Sequence, residues 1–393
     1  MKFIHTSDWH IGRQFHNVSL LEDQRHVLTQ IIDTIQLEDA DALVIAGDIY
    51  DRSVPPATAV ALLDEVLNQI CHEIGIPVII ISGNHDSAER LRFGSRQLKQ
   101  AGLHIMGDIS QVTEPVIIKG KSGITINFYG IPYHDPEQVR HHYEASVRNH
   151  DEAHTFLVEH IKQSIPLSDS TDQSDRESNS VNVLISHCFV DGAEESESER
   201  PLSIGGADRV SFTPMTDFDY VALGHLHSPQ YRGEQHIRYS GSILKYSFSE
   251  QHQSKGITTV EFHLDKAPTI TPLLLKPLRD MRVLEGELAN IIEQGKTDPN
   301  NNDYVMVRLT DTHAILDAMG QVRAVYPNVL HLEKPGIMAT GEKKAMNRKK
   351  LQQGEVEMFR DFFSQVSGNP LSTEQDKALQ TIIGNLHKQE ADQ

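Results

Sequence analysis

Cysteines, cationic residues and long apolar runs are all scarce in this chain of 393 residues, and each shortage excludes some classes of protein. The two cysteines, Cys71 and Cys188, are too few for a disulfide framework, so a reducing, cytoplasmic location is expected. No apolar run approaches the roughly 20 residues of a membrane-spanning helix. Because the chain starts directly in a strand-like segment, neither a signal peptide nor an anchor is predicted.

Positive charge is also low, since 36 Lys and Arg residues against 55 Asp and Glu residues give a net charge of −19. This balance argues against a protein that coats nucleic acid with a basic surface. It does not exclude DNA as a substrate, because divalent cations held in an acidic site invert the local field. The length predicts two or three domains.

Buried-strand and amphipathic-helix patterns alternate over residues 1–110, which indicates an α/β sheet layered by helices. The segments predicted as strands are Lys2–Thr6, Ala42–Ala46 and Val78–Ile81, and those predicted as helices are Leu20–Leu37, Pro56–Ile74 and Ala88–Gln100. Further strands are expected at Val116–Ile118, Ile124–Tyr129, Val181–Ser186, Asp219–Leu223 and Ile257–Phe262. Two polar, acidic runs, Ser164–Ser180 and Glu194–Glu199, are predicted to be flexible surface loops.

Changes in pattern divide the chain into domains at 1–270, 271–335 and 336–393. The middle one is predicted to be a small α+β unit, with strands near Val283–Leu288 and Tyr304–Leu309 and a helix at Ala314–Val325. The last is a tail with a basic stretch, Glu342–Lys350, and two amphipathic helices. Phe359, Phe362 and Phe363 stripe the first helix, and a capping box at 372–375 starts the second.

Polar clusters follow five of the predicted strands, where α/β folds place their ligands. They are Asp8-Trp9-His10, Gly47-Asp48, Gly83-Asn84-His85-Asp86, His187 and Gly224-His225-Leu226-His227. Oxygen and imidazole donors without thiolates suit Mn²⁺, Fe or Zn²⁺, and one central carboxylate can bridge two ions about 3.5–4 Å apart. A structural role is the commoner one for any single histidine, but the whole set favours a two-metal site for phosphoryl transfer.

These motifs resemble those of the calcineurin-like metallophosphoesterase superfamily. Asp8–Gly12, Gly47–Asp51 and Gly83–Asp86 are most similar to its SbcD nuclease branch, as are 239–242, 245–247 and 326–329. The resemblance implies a double-sheet sandwich flanked by helices, a small α+β cap domain and a C-terminal helical tail.

The resemblance also implies two divalent metal ions, with Mn²⁺ preferred and Mg²⁺ as the alternative. One ion is held by Asp8, His10 and His227, and the other by Asn84, His187 and His225, with Asp48 as the bridge. In this pattern His85 is the general acid or stabilises the crowded phosphate, and Asp86 orients a histidine.

Arg52 stands where some members of the branch carry histidine. It resembles the arginine in the Gly-Asp-x-x-Asp-Arg-Gly motif of the related protein phosphatases. Arg52 either clamps the substrate phosphate or pairs with Asp51, and the sequence leaves both roles open. The phosphatases continue with Gly-Asn-His-Glu, so Asp86 favours the nuclease branch.

For the activity, the resemblance implies an ATP-dependent 3'-5' exonuclease on double-stranded DNA and an endonuclease on single strands and hairpins. Such an enzyme works with an SbcC-type ATPase in DNA end processing, replication and recombination. The chain would form a homodimer, through the helices after Asp51 and Asp86, within a heterotetramer. Phe359, Phe362 and Phe363 would dock on the root of the ATPase coiled coil, unless the tail helices pack on their own domain.

Two other classes of function remain open at this point. One is a phosphoesterase for small molecules or phosphoproteins on the same scaffold, and the other is a non-enzymatic scaffold that keeps metals for folding. The extra domain and tail favour the nuclease, since a small substrate needs neither. The intact ligand set together with His85 argues against a non-enzymatic protein.

Overall fold

The computed structural model describes residues 1–165, 180–199, 208–264, 266–311, 315–334 and 369–391, and the single positions 356, 357, 359, 360 and 363. It divides into two compact units, Met1–Leu278 and Arg279–Gln393. The division falls a few residues after the border predicted at residue 270, because a strand spanning Lys266–Leu274 belongs to a sheet of the first unit.

The first unit alternates strands with helices. Its strands are β1 (Lys2–Thr6), β2 (Gln14–Phe15), β3 (Val18–Ser19), β4 (Ala42–Ala46), β5 (Val78–Ile81), β6 (Leu103–Met106), β7 (Val116–Lys119), β8 (Thr125–Ile131), β9 (Ser180–His187), β10 (Phe189–Val190), β11 (Arg209–Val210), β12 (Tyr220–Gly224), β13 (Gln230–Arg232), β14 (Glu234–Tyr239), β15 (Gly256–His263) and β16 (Lys266–Leu274). Its α-helices are α1 (Leu21–Leu37), α2 (Ala57–Asn68), α3 (Ala88–Leu91), α4 (Ser95–Leu98), α5 (Pro136–Tyr143) and α6 (His150–Ser164).

Two six-stranded sheets form the body of this unit, with strand orders β16-β15-β1-β4-β5-β6 and β13-β14-β12-β9-β8-β7. Strands β1, β4, β5 and β6 run parallel in the first sheet, as do β8, β9, β12 and β14 in the second. Apolar residues of both sheets share one core, in which Phe3 packs edge-on against Phe128 and Tyr220. The predicted double-sheet sandwich is therefore confirmed.

Helices cover the outer faces of the sandwich, as the apolar stripes of the sequence predict. Leu157 and Ile161 of α6 pack in one cluster with Leu184 and Val221 of the second sheet. Strand β4 is buried at all five positions, because both faces of its sheet are covered. Within the described residues, no helix is long and apolar enough to cross a membrane.

The helix predicted over Ala88–Gln100 is wrong in one respect, because it is broken into α3 and α4. Gly94 takes a left-handed conformation (φ 73°) as the N-cap of α4, and this interrupts the helical hydrogen bonding. The predicted loop at Ser164–Ser180 begins at the last residue of α6 and ends at the first of β9. Residues 166–179 between them lie outside the described residues.

The second unit, predicted as α+β, is built on three parallel strands with helices between them. Its elements are β17 (Met281–Gly286), α7 (Leu288–Gly295), β18 (Tyr304–Leu309), α8 (Ala318–Arg323), β19 (Val329–Glu333) and α9 (Thr373–Ala391). Leu288, predicted to end a strand, instead begins α7 and packs in the core with Ile291 and Val322.

The tail is described only in part. The predicted capping box of α9 is confirmed, since Ser372 Oγ accepts from the Gln375 amide and Gln375 Oε1 accepts from the Ser372 amide. Phe359 is 43% exposed. The basic stretch 342–350 and Phe362 lie outside the described residues.

Two histidines outside the predicted ligand set are buried side by side. His134 and His154 stack with their ring centroids 5.8 Å apart. Among the residues that the structure describes, His134 Nε2 and both ring nitrogens of His154 find no hydrogen-bond partner. Burial lowers the pKa of His134 to about 4 and that of His154 to about 3.

We therefore predict that acid destabilises the fold through this pair. Below pH about 6.5 the unfolded chain binds protons on both histidines, whereas the folded chain stays neutral until about pH 4, so the free energy of unfolding falls over that interval. In His154→Leu the free energy of unfolding should fall less steeply with decreasing pH, and at pH 8 it should be close to that of the wild type. Urea unfolding at several pH values measures this, with the exposed His141→Leu as control, and equal slopes for both variants would contradict it.

Candidate metal centre

The structure brings together every residue that the sequence predicts as a metal ligand. Asp8 and His10 follow β1, Asp48 follows β4, Asn84 follows β5, His187 ends β9, and His225 and His227 follow β12. All are buried except Asn84, which is partly exposed. The side chains meet because parallel strands of both sheets end at the same place.

Several of these residues have an unusual backbone conformation. Asp8, His10, Asp48 and His225 have φ values of 52°, 45°, 51° and 108°, in the left-handed region that non-glycine residues rarely enter. Each such residue costs about 1–3 kcal/mol, and such conformations cluster at functional sites. The Asp8 amide donates to Gly47 O (3.1 Å) and the His10 amide to Asp48 O (2.9 Å), so the two turns hold each other in place.

The candidate ligands form two adjacent clusters, Asp8-His10-His227 and Asp48-His187-His225. Asp48 stands between them, with Oδ2 3.6 Å from His10 Nε2 and 3.5 Å from His187 Nε2. Asn84 Oδ1 lies 2.9 Å from His187 Nε2 and 3.0 Å from His225 Nδ1. One carboxylate thus faces donors of both clusters.

The donor set suits cations. His10 Nε2 and His227 Nε2 lie 3.1 Å apart, so one cation could take both lone pairs when each ring carries its proton on Nδ1. The Nδ1–H of His187 donates to Ala46 O (2.9 Å), which leaves its Nε2 lone pair facing Asp48 and Asn84. Metal-binding histidines are commonly oriented in this way, by a hydrogen bond from the ring nitrogen that faces away from the metal.

The electrostatics of the pocket agree with this fit. Burial lowers the pKa of His10 and His187, and that of His225 to about 3, so the imidazoles stay neutral and able to ligate. Burial, followed by the nearby charge of Asp48, raises the pKa of Asp8. Two carboxylates this close remain ionised together only when cations neutralise them.

Two glycines leave the room that the side chains need. A Cβ on Gly83 would overlap the Asp48 carboxylate, and one on Gly47 would overlap the His187 ring. Gly47 also has φ 91°. The glycines before the predicted ligands are therefore required by close approach as well as by the turn.

Asp86 supports the site differently from the sequence-based prediction, in which it orients a histidine. Its carboxylate accepts from the backbone amides of Ile49 (3.2 Å), Tyr50 (3.0 Å) and Gly83 (2.9 Å). It therefore ties the turn after Asp48 to the turn after β5. Burial, together with the charge of Asp48, raises the pKa of Asp86 to about 7.

His85 stands beside the two clusters. Its Nδ1–H donates to Asp51 O (2.8 Å), and its backbone amide donates to Asp48 Oδ1 (2.9 Å). Its ring lies 4.7 Å from that of His10, centroid to centroid. The position leaves Nε2 as the nitrogen that can exchange a proton with a substrate.

Arg52 is placed at the surface, with a side chain that is 55% exposed. Its Nη2 forms an ion pair with Asp51 Oδ2 at 3.9 Å, which is too long for a hydrogen bond, and Asp51 also accepts a hydrogen bond from Arg13 Nη1 at 3.0 Å.

Several residues stabilise the centre although the sequence did not predict this role for them. Gln24 Nε2 donates to the carbonyls of Trp9 (3.2 Å) and His10 (2.7 Å), and Tyr246 also contacts Trp9 O. The acidic run Glu194–Glu199, predicted as a mobile surface loop, contributes Ser198 and Glu199 to the wall around His227. That prediction is wrong for these two residues, since composition does not reveal long-range hydrogen bonds.

Comparison with known proteins agrees with this geometry. The family model of the calcineurin-like phosphoesterases matches residues 1–229, and a model described as the type 5 capsule protein repressor C-terminal domain matches residues 277–367. The SbcD subunit of the nuclease SbcCD from Staphylococcus epidermidis is 37% identical over 333 residues, which cover 84% of this chain and 85% of that protein.

Two solved structures are similar to this chain at low identity. A dimetal phosphatase from Danio rerio is 12% identical with a TM-score of 0.39, over 70% of this chain and 99% of that one. A protein of Thermus thermophilus is 11% identical, with the same coverage and TM-score. At these values neither structure bears on the activity of this chain.

The chain belongs to the calcineurin-like phosphoesterase family, whose model spans more than half of it. Within that family it belongs with the SbcD nuclease subunits, to which its identity extends over most of both proteins. The fold family and the two clusters together support a centre for two divalent metal ions.

We predict that metal binding and stability depend jointly on Asp48. Mn²⁺ at 100 times its dissociation constant should raise the free energy of unfolding by about 2.7 kcal/mol for each site filled. Asp48→Asn should lose most of this gain, because Asp48 faces donors of both clusters. Thermal unfolding and elemental analysis after dialysis measure it, with the exposed Asp33→Asn as control. Two retained ions in Asp48→Asn would contradict the prediction.

Proposed function

We propose that this chain hydrolyses phosphodiester bonds in DNA at a centre of two divalent metal ions, as the nuclease subunit of a complex with an SbcC-type ATPase. The observation that carries the proposal is the meeting of both ligand clusters around Asp48, with His85 directly beside them. The likeness to an SbcCD nuclease subunit along 84% of the chain supports DNA as the substrate.

In this proposal, Asp8, His10 and His227 hold one ion, Asn84, His187 and His225 hold the other, and Asp48 bridges them. The bound ions would polarise the phosphodiester and activate the attacking water. The imidazole-rich donor set favours Mn²⁺ over Mg²⁺, which prefers oxygen ligands and keeps several of its waters. A cytoplasmic location stays a prediction.

His85 is proposed as the general acid for the leaving oxygen. Its Nδ1–H is fixed by Asp51 O, so Nε2 is the atom that would deliver a proton to the substrate. Arg52 is proposed to clamp a neighbouring phosphate, which is favoured by its exposure and by the absence of a hydrogen bond to Asp51 at 3.9 Å.

The ATPase is proposed to supply most of the affinity for DNA. A net charge of −19 makes DNA binding by the isolated chain weak and sensitive to salt. The docking of Phe359, Phe362 and Phe363 on a coiled coil stays a prediction. Loss of co-purification of the ATPase with Phe362→Asp/Phe363→Asp would support it, and unchanged co-purification would refute it.

His85→Gln should keep both ions and lose the activity. We expect digestion of end-labelled linear and hairpin DNA to fall by about 10²–10⁴-fold, the usual contribution of a general acid. The assay uses the protein with the ATPase, ATP and Mn²⁺, and elemental analysis confirms the metal content. Unchanged digestion would remove His85 from the mechanism. Hydrolysis of a small phosphodiester without any DNA cleavage by the wild type would favour the alternative small-molecule phosphoesterase.

A homodimer is proposed to form through an apolar groove of about 1030 Å³ between α2 and α3–α4. Its lining includes Phe93, Val54 and Val60, which are 86%, 59% and 44% exposed. A second copy can cover these side chains with the same patch of its own surface.

Phe93→Asp should therefore shift the protein from dimer to monomer, because a carboxylate would be buried in an apolar interface. Light scattering coupled to size-exclusion chromatography measures the mass. The exposed Leu37→Asp, on the remote end of α1, serves as the control. A dimer that persists in Phe93→Asp would show that the groove is not the interface.

A further inference from the structure

The segment Ser196–Glu199 lies against the outer side of His227 rather than in solvent. Ser198 Oγ is 2.5 Å from His227 Nδ1, and Glu199 Oε1 accepts from the His227 backbone amide at 2.7 Å. Ser198 is buried, with 8% exposure. A candidate metal ligand is thus held from a part of the chain that carries no recognised motif.

Behind Ser198 stands a carboxylate that determines the direction of the hydrogen bonds. Glu250 is fully buried, and its Oε1 contacts Ser198 Oγ. An ionised carboxylate only accepts, so the Ser198 hydroxyl donates to Glu250, and its oxygen accepts the proton of His227 Nδ1. This leaves the Nε2 lone pair of His227 facing Asp8 and His10.

Glu250 is kept ionised by its own surroundings. Lys255 Nζ lies 2.6 Å from its Oε2, and the Tyr246 amide (3.2 Å) and Ser247 Oγ (3.2 Å) donate to its oxygens. Lys255 Nζ also donates to His227 O at 2.8 Å. The backbone of His227 is therefore held at both its amide and its carbonyl.

Fold stability alone gives no reason for this arrangement. A buried ion pair loses more hydration energy than it gains in many proteins, and well-packed apolar residues often do as well or better. Carboxylates that reach a metal-binding histidine through its outer nitrogen are instead typical of metal centres, where their removal weakens metal binding 10–100-fold.

We propose that the Ser198–Glu250 pair positions His227, by fixing its Nδ1–H tautomer and aiming Nε2 at the ion held with Asp8 and His10. The pair thereby sets the affinity of that one metal site. The inference rests on the proposed function only in that the centre binds metal. Ser198 and Glu250 are positioning residues and do not touch the substrate.

The test titrates Mn²⁺ into the metal-free full-length chain by calorimetry, without DNA. Ser198→Ala should weaken one of the two sites about 10–100-fold and leave the other unchanged. Ser198→Thr, which keeps the hydroxyl, should restore the affinity. Ser249→Ala is the matched control, since Ser249 Oγ contacts Ser247 Oγ and the Glu197 amide but not His227.

Glu250→Gln leaves the Lys255 charge buried without its partner and can unfold the chain. The double variant Glu250→Gln/Lys255→Met removes both charges, and we expect it to fold and to show the same selective loss at one site. Wild-type affinity at both sites in Ser198→Ala, or an equal loss at both that Ser198→Thr does not restore, would overturn the proposal. If the wild type binds two ions but cleaves no DNA, the proposed function fails while this inference stands or falls on the titration alone.

Discussion

The burial of Asp8 and Asp48 side by side is the constraint on which the rest of the site depends. Both side chains are at most 2% exposed, and burial keeps the imidazoles of His10 and His225 neutral. Divalent cations would supply the positive charge that lets both carboxylates ionise together. The facing ring nitrogens of His10 and His227, 3.1 Å apart, are placed so that one cation could take both lone pairs.

Placing so many donors at one point demands a backbone that departs from ordinary strand geometry. Residues in the left-handed region, such as Asp8 and Asp48, turn the chain sharply as it leaves the sheet. Gly47 and Gly83 let the turns approach until side chains of neighbouring strands meet. Asp86 then ties two of these turns through backbone amides. The large buried core of the sandwich offsets the strain, and the site in turn has little freedom to rearrange.

The sequence predicted the polar turns at the strand ends and their convergence, but not the hydrogen bonds that hold the ligands from other segments of the chain. Strand ends such as Gly47-Asp48 can be recognised in the sequence because a buried apolar run and its polar turn are adjacent in the chain. Ser198, by contrast, reaches His227 across 29 residues and Glu250 across 52, and no periodicity encodes such pairs. The break at Gly94 was not predicted, because a single glycine within a helical segment can also stay helical.

The low positive charge of the chain is compatible with a phosphate substrate if the metal ions supply the positive charge at this centre. An acidic pocket repels phosphate, and the same pocket attracts it once divalent ions are bound, so we infer that metal binding precedes DNA binding. Arg52 is an exposed cation on the turn whose Asp51 carbonyl accepts from His85 Nδ1. In the proposed mechanism, a substrate phosphate that contacts Arg52 would thus lie at the turn that also holds His85.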